Sequence, residues 1–219
     1  ALMEWCSSGV RVDTSAHNWA FDAASTSLQS HPLLSHRHGI VDKLQHHDVV
    51  VLVAPPGCGK TMLAPALFRD LQQLLAQEDS DGRMHTKALL LSPNTDHVDS
   101  MAPEYEKEYM RRSNAFCRIS AFSSTVGDRR QECAVRHPPS TVPPSDFGLC
   151  TLKAGVMALP YSQLGLLVID EAHSTCSDMI QALAIARSIL RRDEDCKNGA
   201  PGHLGKLLLM SATLDEKEI

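Results

Sequence analysis

A parallel α/β sheet covered by helices on both faces is the fold the sequence predicts, and three observations predict it. Short apolar runs at 49–53, 88–91, 166–169 and 206–210 alternate with longer segments of helical period. The first run leads directly into Ala54-Pro55-Pro56-Gly57-Cys58-Gly59-Lys60-Thr61, a glycine-rich turn that opens a helix. A later run ends in Asp170-Glu171-Ala172-His173, placing two carboxylates at the carboxyl end of a strand, the edge where sheets of this class bind ligands. Strands alternating with helices of these lengths pair in parallel and need cover on both sides.

Residues 1–28 are rich in Ser and Ala, lack a clear period and carry no assignable chemistry, so they are expected to be a loosely packed extension. Leu33, Leu34, Ile40, Val41 and Leu44 predict a short helix within 32–44, ahead of a strand at 49–53. A helix over 61–77 follows, with Met62, Leu63, Ala66, Leu67, Leu71, Leu74 and Leu75 as its apolar stripe and Pro65 accommodated in its first turn. The run 88–91, closed by Ser92-Pro93, reads as a buried parallel strand, followed by a helix over 98–110. A strand is expected at 117–122. The segment 123–147, with Pro138-Pro139 and Pro143-Pro144 and no sustained period, reads as a loop or insertion. A strand at 148–151, a helical segment at 152–159, the strand 166–169, a helix over 177–192, a turn at 198–205 and the strand 206–210 complete the order.

The 219 residues, 43% of them hydrophobic, are enough for one large domain with a real core. A net charge of −5 excludes a globally basic nucleic-acid binder, so any such surface must be local. Seven scattered cysteines without a CxxC pair argue against zinc and for a reducing, intracellular setting, cytoplasmic or nuclear. No apolar run reaches the length of a membrane span, and the first residues lack a secretory pattern. The start at Ala1 and the stop at Ile219, soon after a strong motif, read as a piece of a longer protein.

The glycine-rich turn has the register of a phosphate-binding loop, except that Ala54 stands where the strict pattern has Gly. In such a loop the backbone N–H groups around Gly57, Cys58 and Gly59 cradle phosphates, Lys60 reaches the β- and γ-phosphates, and Thr61 offers its hydroxyl to Mg²⁺. Cys58 is expected to be a small tolerated side chain whose place at a helix start can lower its thiol pKa and make it oxidation-sensitive. ATP with Mg²⁺ is therefore the expected cofactor pair, with Thr61 and Asp170 on the metal, and Glu171 orienting water as the catalytic carboxylate beside Lys60. His173 can sense the γ-phosphate through hydrogen bonds. Ser211-Ala212-Thr213, at the end of a later apolar strand, can reach the same edge of the sheet and relay that state. His36, His38, His46 and His47 lack carboxylate or cysteine company and read as a solvated face. The pairs Arg111-Arg112, Arg129-Arg130 and Arg191-Arg192 are as ordinary at helix ends and loops as at phosphates.

Taken together, Ala54 to Thr61, Asp170 to His173 and Ser211 to Thr213 resemble the superfamily 2 helicases of the DEAH/DExH type over about residues 30–215. The resemblance implies a RecA-like P-loop NTPase domain spanning 29–219, with a second RecA-like domain, bearing arginine fingers, outside this chain. It implies that Lys60, Thr61, Asp170 and Glu171 serve nucleotide, Mg²⁺ and hydrolysis, and that Ser211 and Thr213 link hydrolysis to strand movement. Thr151, with Gly155 beyond Lys153, is similar to the family's RNA-contacting Thr/Gly segment. Two departures stand out. Ser92-Pro93-Asn94-Thr95 replaces a usual basic segment, and His173-Ser174-Thr175 lacks the Glu-Arg typical of spliceosomal members, resembling flavivirus-type helicases instead, while the Pro-Pro-Gly loop is similar to bacterial DEAH proteins.

The function expected is an ATP-dependent helicase acting on nucleic acid, RNA in preference, with this chain alone turning over ATP slowly. A nucleotide-switched binding platform and a double-stranded-DNA translocase with the same core are the alternatives.

Overall fold

A computed structural model of the chain describes residues 10–13, 32–78, 87–105, 119–122, 147–158, 164–195 and 205–212. These fall into two units interleaved in sequence: 1–84 with 168–173 and 206–219, and 85–167 with 174–205. The parallel α/β architecture expected from the sequence is borne out in both.

In the first unit a 3₁₀ turn, Pro32–His36, runs into helix α1 (Arg37–His46), then strand β2 (Val49–Val53) and helix α2 (Lys60–Glu78). Strand β1 (Val10–Asp13) pairs parallel with β2 from Val10↔Val50 to Asp13↔Val53. On its other side β2 pairs parallel with β7 (Lys206–Ser211) from Val49↔Leu207 to Val53↔Ser211. Beyond β7 in the strand order comes β6 (Leu166–Ile169), which gives Val168 and Ile169 to this unit. Successive side chains of a strand point to opposite faces, yet Val50, Val51, Leu52 and Val53 are all buried. Both faces of β2 are therefore covered, as in a sheet with helices on each side.

β1 corrects the expectation for residues 1–28. Val-Arg-Val-Asp is too short to announce itself by period, and it becomes a strand because β2 offers a free row of backbone donors and acceptors. Pro65 also lies elsewhere than expected: α2 begins at Lys60, so the proline sits in the second turn. There it removes the N–H that would donate to the Thr61 carbonyl. The helix continues through it, held by the buried Leu63, Ala64, Ala66, Leu67, Phe68 and Leu71, each large apolar member contributing about 1.5–3 kcal/mol. Arg37 at the start of α1 makes a two-pronged ion pair with Asp70 of α2, fastening the two helices together.

The second unit contains β3 (Ala88–Ser92), α3 (Thr95–Tyr105), β4 (Ile119–Phe122), β5 (Phe147–Thr151), α4 (Leu152–Ala158) and α5 (Ser177–Asp195). β5 is central, parallel to β3 from Ala88↔Phe147 to Ser92↔Thr151 and to β4 from Ile119↔Phe147 to Phe122↔Cys150. α3 starts three residues earlier than its apolar period indicated, because the Asn94 side chain accepts a hydrogen bond from the Asp96 N–H at 2.9 Å and caps the helix. The buried Tyr105 ring meets Phe147 edge-on at 6.0 Å and seats α3 on β5. Residues 106–110, 117–118, 123–146, 159 and 198–204, for which a helix end, a strand start, an insertion, a helix end and a turn were expected, lie outside the described residues.

Gly205 in this unit is required by close approach. At Gly205 an added Cβ would stand 2.5 Å from the Gly165 carbonyl oxygen, while the Gly205 N–H donates to Leu164 O at 2.8 Å. Backbone cannot yield, so Gly205→Ala is expected to cost about 1–3 kcal/mol. The check is thermal unfolding, in which it should melt below Gly39→Ala, whose site has nothing within 4 Å.

Candidate functional site

The loop between β2 and α2 is shaped by two glycines that take conformations closed to other residues at low cost. Gly57 has φ 74° and Gly59 φ 93°, both in the left-handed region that glycine enters freely. Leu63 N–H donates to Gly59 O at 2.9 Å, so the α2 ladder begins at Gly59. The first turn of α2 presents the positive end of the helix dipole. That is an anion site by construction.

Lys60 is 5% exposed, and its ammonium donates to Ala54 O at 2.7 Å and Pro55 O at 3.0 Å. The lysine is thus folded back across the mouth of its own loop. The sequence pattern does not foretell these two carbonyl partners, because they depend on how the loop closes. Ala54, the position that departs from the strict pattern, is fully buried and donates its N–H to Ser211 O at 3.1 Å, which extends the β2–β7 ladder into the loop.

Thr61, one residue on, donates its hydroxyl to Asp170 Oδ2 at 2.7 Å. Asp170 is 1% exposed, and its other oxygen accepts the Glu171 N–H at 2.9 Å. The residues expected to share a metal, 109 positions apart in the chain, are therefore in direct contact. Two oxygen donors, one a carboxylate, form the kind of set that suits a hard cation such as Mg²⁺.

Beyond the strand end, His173 Nδ1 lies 3.0 Å from Ser211 Oγ and 3.4 Å from Glu171 Oε2. With the proton on Nδ1 the ring donates toward these oxygens; with it on Nε2 the ring accepts from the Ser211 hydroxyl. Ser211 is fully buried, whereas the His173 and Glu171 side chains are 34% and 39% exposed, so solvent meets Glu171 and His173 while Ser211 supports His173 from behind. Ala172 N–H donates to Met210 O at 2.9 Å and ties this turn to β7. Lys60, Thr61, Asp170, Glu171, His173 and Ser211 thus come together in the first unit, around Gly57, Cys58 and Gly59. Thr213 lies outside the described residues.

Cys58 is the small space-filling side chain expected, without the lowered thiol pKa that a helix start can give. Its side chain is fully buried, and burial pushes the thiol pKa up, with the nearby Lys60 charge and backbone N–H groups opposing only in part. Desolvation of a thiolate here outweighs the helix start, so the thiol is protonated and fills space, and the oxidation sensitivity that its position could have given does not arise. Cys150 is likewise raised by burial.

Thr151 and Gly155, in the second unit, have internal duties. Thr151 is 4% exposed, and its hydroxyl accepts the Ala154 N–H at 3.3 Å, capping α4. Gly155 is buried so tightly that a Cβ would stand 2.3 Å from Leu91 Cδ2 and 3.3 Å from Cys150 Sγ. Both residues for which a nucleic-acid contact is expected are thus buried in this unit. At the end of β3, in place of the expected basic segment, the buried Ser92 hydroxyl pairs with His97 Nδ1 at 3.1 Å, a contact that sequence reasoning missed. Among the described residues no cluster of three or more His, Cys, Asp or Glu could hold a metal, the histidines around α1 included.

The sequence profile of the DEAD/DEAH box helicases matches residues 36–219. The chain belongs to the DEAD/DEAH box helicase family. Domains of this family bind ATP, and the loop, lysine and carboxylates described above occupy the matched span. The chain is 26% identical over 191 residues to the probable ATP-dependent RNA helicase spindle-E of Drosophila ananassae, covering 85% of this chain and 11% of that protein. It superposes on the DEAH/RHA helicase HrpB of Escherichia coli with a TM-score of 0.57 at 21% identity, covering 86% of this chain and 20% of that one. The fold is thus the RecA-like α/β type of the DEAD/DEAH helicases. The chain spans a small part of both relatives, 11% and 20% of their lengths.

Proposed function

We propose that residues 29–219 are the ATP-binding RecA-like domain of an ATP-dependent RNA helicase that works inside the cell with a second RecA-like domain of the same protein. The observation that carries the reading is the contact of Thr61 at the loop helix with the buried Asp170 at the strand end, 2.7 Å between oxygens, beside a glycine-shaped anion site. Lys60 would leave Ala54 O and Pro55 O for the β- and γ-phosphates, exchanging two neutral acceptors for charged ones. The N–H groups from Gly57 to Thr61 would hold the remaining phosphate oxygens.

Mg²⁺ fits the Thr61 and Asp170 oxygens, and when bound it would neutralise charge developing on the phosphates. Glu171, the more exposed carboxylate, would accept a hydrogen bond from the attacking water and orient it. His173 would hold Glu171 from one side while Ser211 fixes its ring, and Thr213 would join Ser211 in passing the phosphate state onward. The similarity to spindle-E, a probable ATP-dependent RNA helicase, supports RNA as the substrate class. The arginines that complete such sites would come from the second domain, so this chain alone turns over ATP slowly.

The test is ATP turnover of the full-length protein with single-stranded RNA or DNA added. RNA is expected to stimulate it and DNA to do so weakly. Stimulation by DNA alone would favour a DNA translocase, and turnover indifferent to both would favour a nucleotide-switched binding platform.

A further inference from the structure

Among the described residues, Glu171 is the one non-glycine with a positive φ, 52°. In that region the Cβ of an L-residue crowds the following carbonyl. Asn and Asp enter it more readily than other non-glycine residues, and Glu is not among those favoured. A residue persists in such a conformation only when its surroundings enforce it. Here the enforcement is visible on both sides. In front, the Glu171 N–H donates to Asp170 Oδ1 at 2.9 Å. Behind, the next N–H, that of the buried Ala172, donates to Met210 O at 2.9 Å and pins the turn to β7. Asp170 is itself immobilised, since its second oxygen accepts the Thr61 hydroxyl and the residue is 1% exposed. The product of the turn is a Glu171 carboxylate held 3.4 Å from His173 Nδ1.

We propose that Asp170 is a positioning residue as well as a candidate metal ligand: its Oδ1 fastens the Glu171 amide in a left-handed turn that aims the Glu171 carboxylate. The inference rests on the nucleotide-site reading above for what Glu171 is aimed at, but the turn itself does not depend on nucleotide. One carboxylate thereby serves two neighbours, Thr61 through Oδ2 and the Glu171 backbone through Oδ1. Removing its charge and removing its oxygen are different lesions.

Two measurements test this. Thermal unfolding of the 219-residue chain compares Glu171→Gly with Glu171→Ala, which both lack the carboxylate. Glycine ordinarily loses to alanine, by about 2–4 °C in a chain of this size; at a left-handed turn it should melt level with alanine or above it. Glu171→Gly melting below Glu171→Ala by that margin overturns the proposal. In the full-length protein with RNA, Asp170→Asn, which keeps an oxygen for the Glu171 amide, is compared with Asp170→Ala at saturating Mg²⁺. Both should raise the Mg²⁺ requirement, but Asp170→Asn should retain a kcat about tenfold higher. Equal kcat values would reduce Asp170 to its metal role and overturn the positioning claim. ATP binding to Lys60→Ala separates the two readings: if it is undiminished, the nucleotide assignment fails while the unfolding order still decides the turn.

Discussion

Lys60→Ala is expected to cut ATP turnover of the full-length protein by about a hundredfold or more, the scale seen when one charge-stabilising donor is lost from an active site. The ammonium lies within the loop, buried and donating to two of its backbone carbonyls instead of being spread through solvent. Its charge is therefore poorly screened and well placed for phosphates. Truncation has a second consequence: Ala54 O and Pro55 O lose their donor, so the loop loses an internal strut as well as its charge. Lys60→Arg is not a remedy, because a planar guanidinium cannot reproduce a compact ammonium at a site with this little free surface. Titration with a fluorescent ATP analogue and steady-state turnover check the expectation together. Turnover like that of the unaltered protein would remove Lys60 from the phosphate site.

Glu171→Gln should behave differently, retaining ATP binding within a few-fold while turnover drops by about 10²–10⁴. The substitution keeps the shape of the side chain and removes its capacity to take a proton. The Glu171 side chain is 39% exposed, open to an incoming water, whereas Asp170 is closed off against Thr61. That difference in access assigns the two adjacent carboxylates different work. A single-turnover measurement on preloaded protein isolates the chemical step, and a rate unchanged from that of the unaltered protein would transfer the water-orienting role to another group.

The phosphate loop was legible because its chemistry constrains residue type at fixed spacing: a glycine where φ must be positive, a lysine and a hydroxyl one step apart. The observed φ values at Gly57 and Gly59 are the physical content of that pattern. Most strands were legible for a related reason, since residues buried on both faces leave continuous apolar runs such as those of β2 and β7. β1 was not, as its identity comes from pairing with β2 and not from its own four residues. The thiol pKa of Cys58 was not legible, because position in the chain reports a helix start but not desolvation, which here dominates. Thr151 and Gly155 carried a resemblance to a nucleic-acid segment, while their burial gives them a helix cap and a packing contact.

By itself, then, the sequence determined the family, the order of strands and helices from residue 32 onward, and which residues are candidates for the nucleotide site, because each of these is written in local residue type and period. Only the tertiary structure decided how those residues are used. Asp170 meets Thr61 across 109 positions, Ser211 stands behind His173 across 38, and Glu171 is bent into a left-handed turn. Such facts depend on strand register and on which backbone groups find partners, and both are settled by the sheet as a whole.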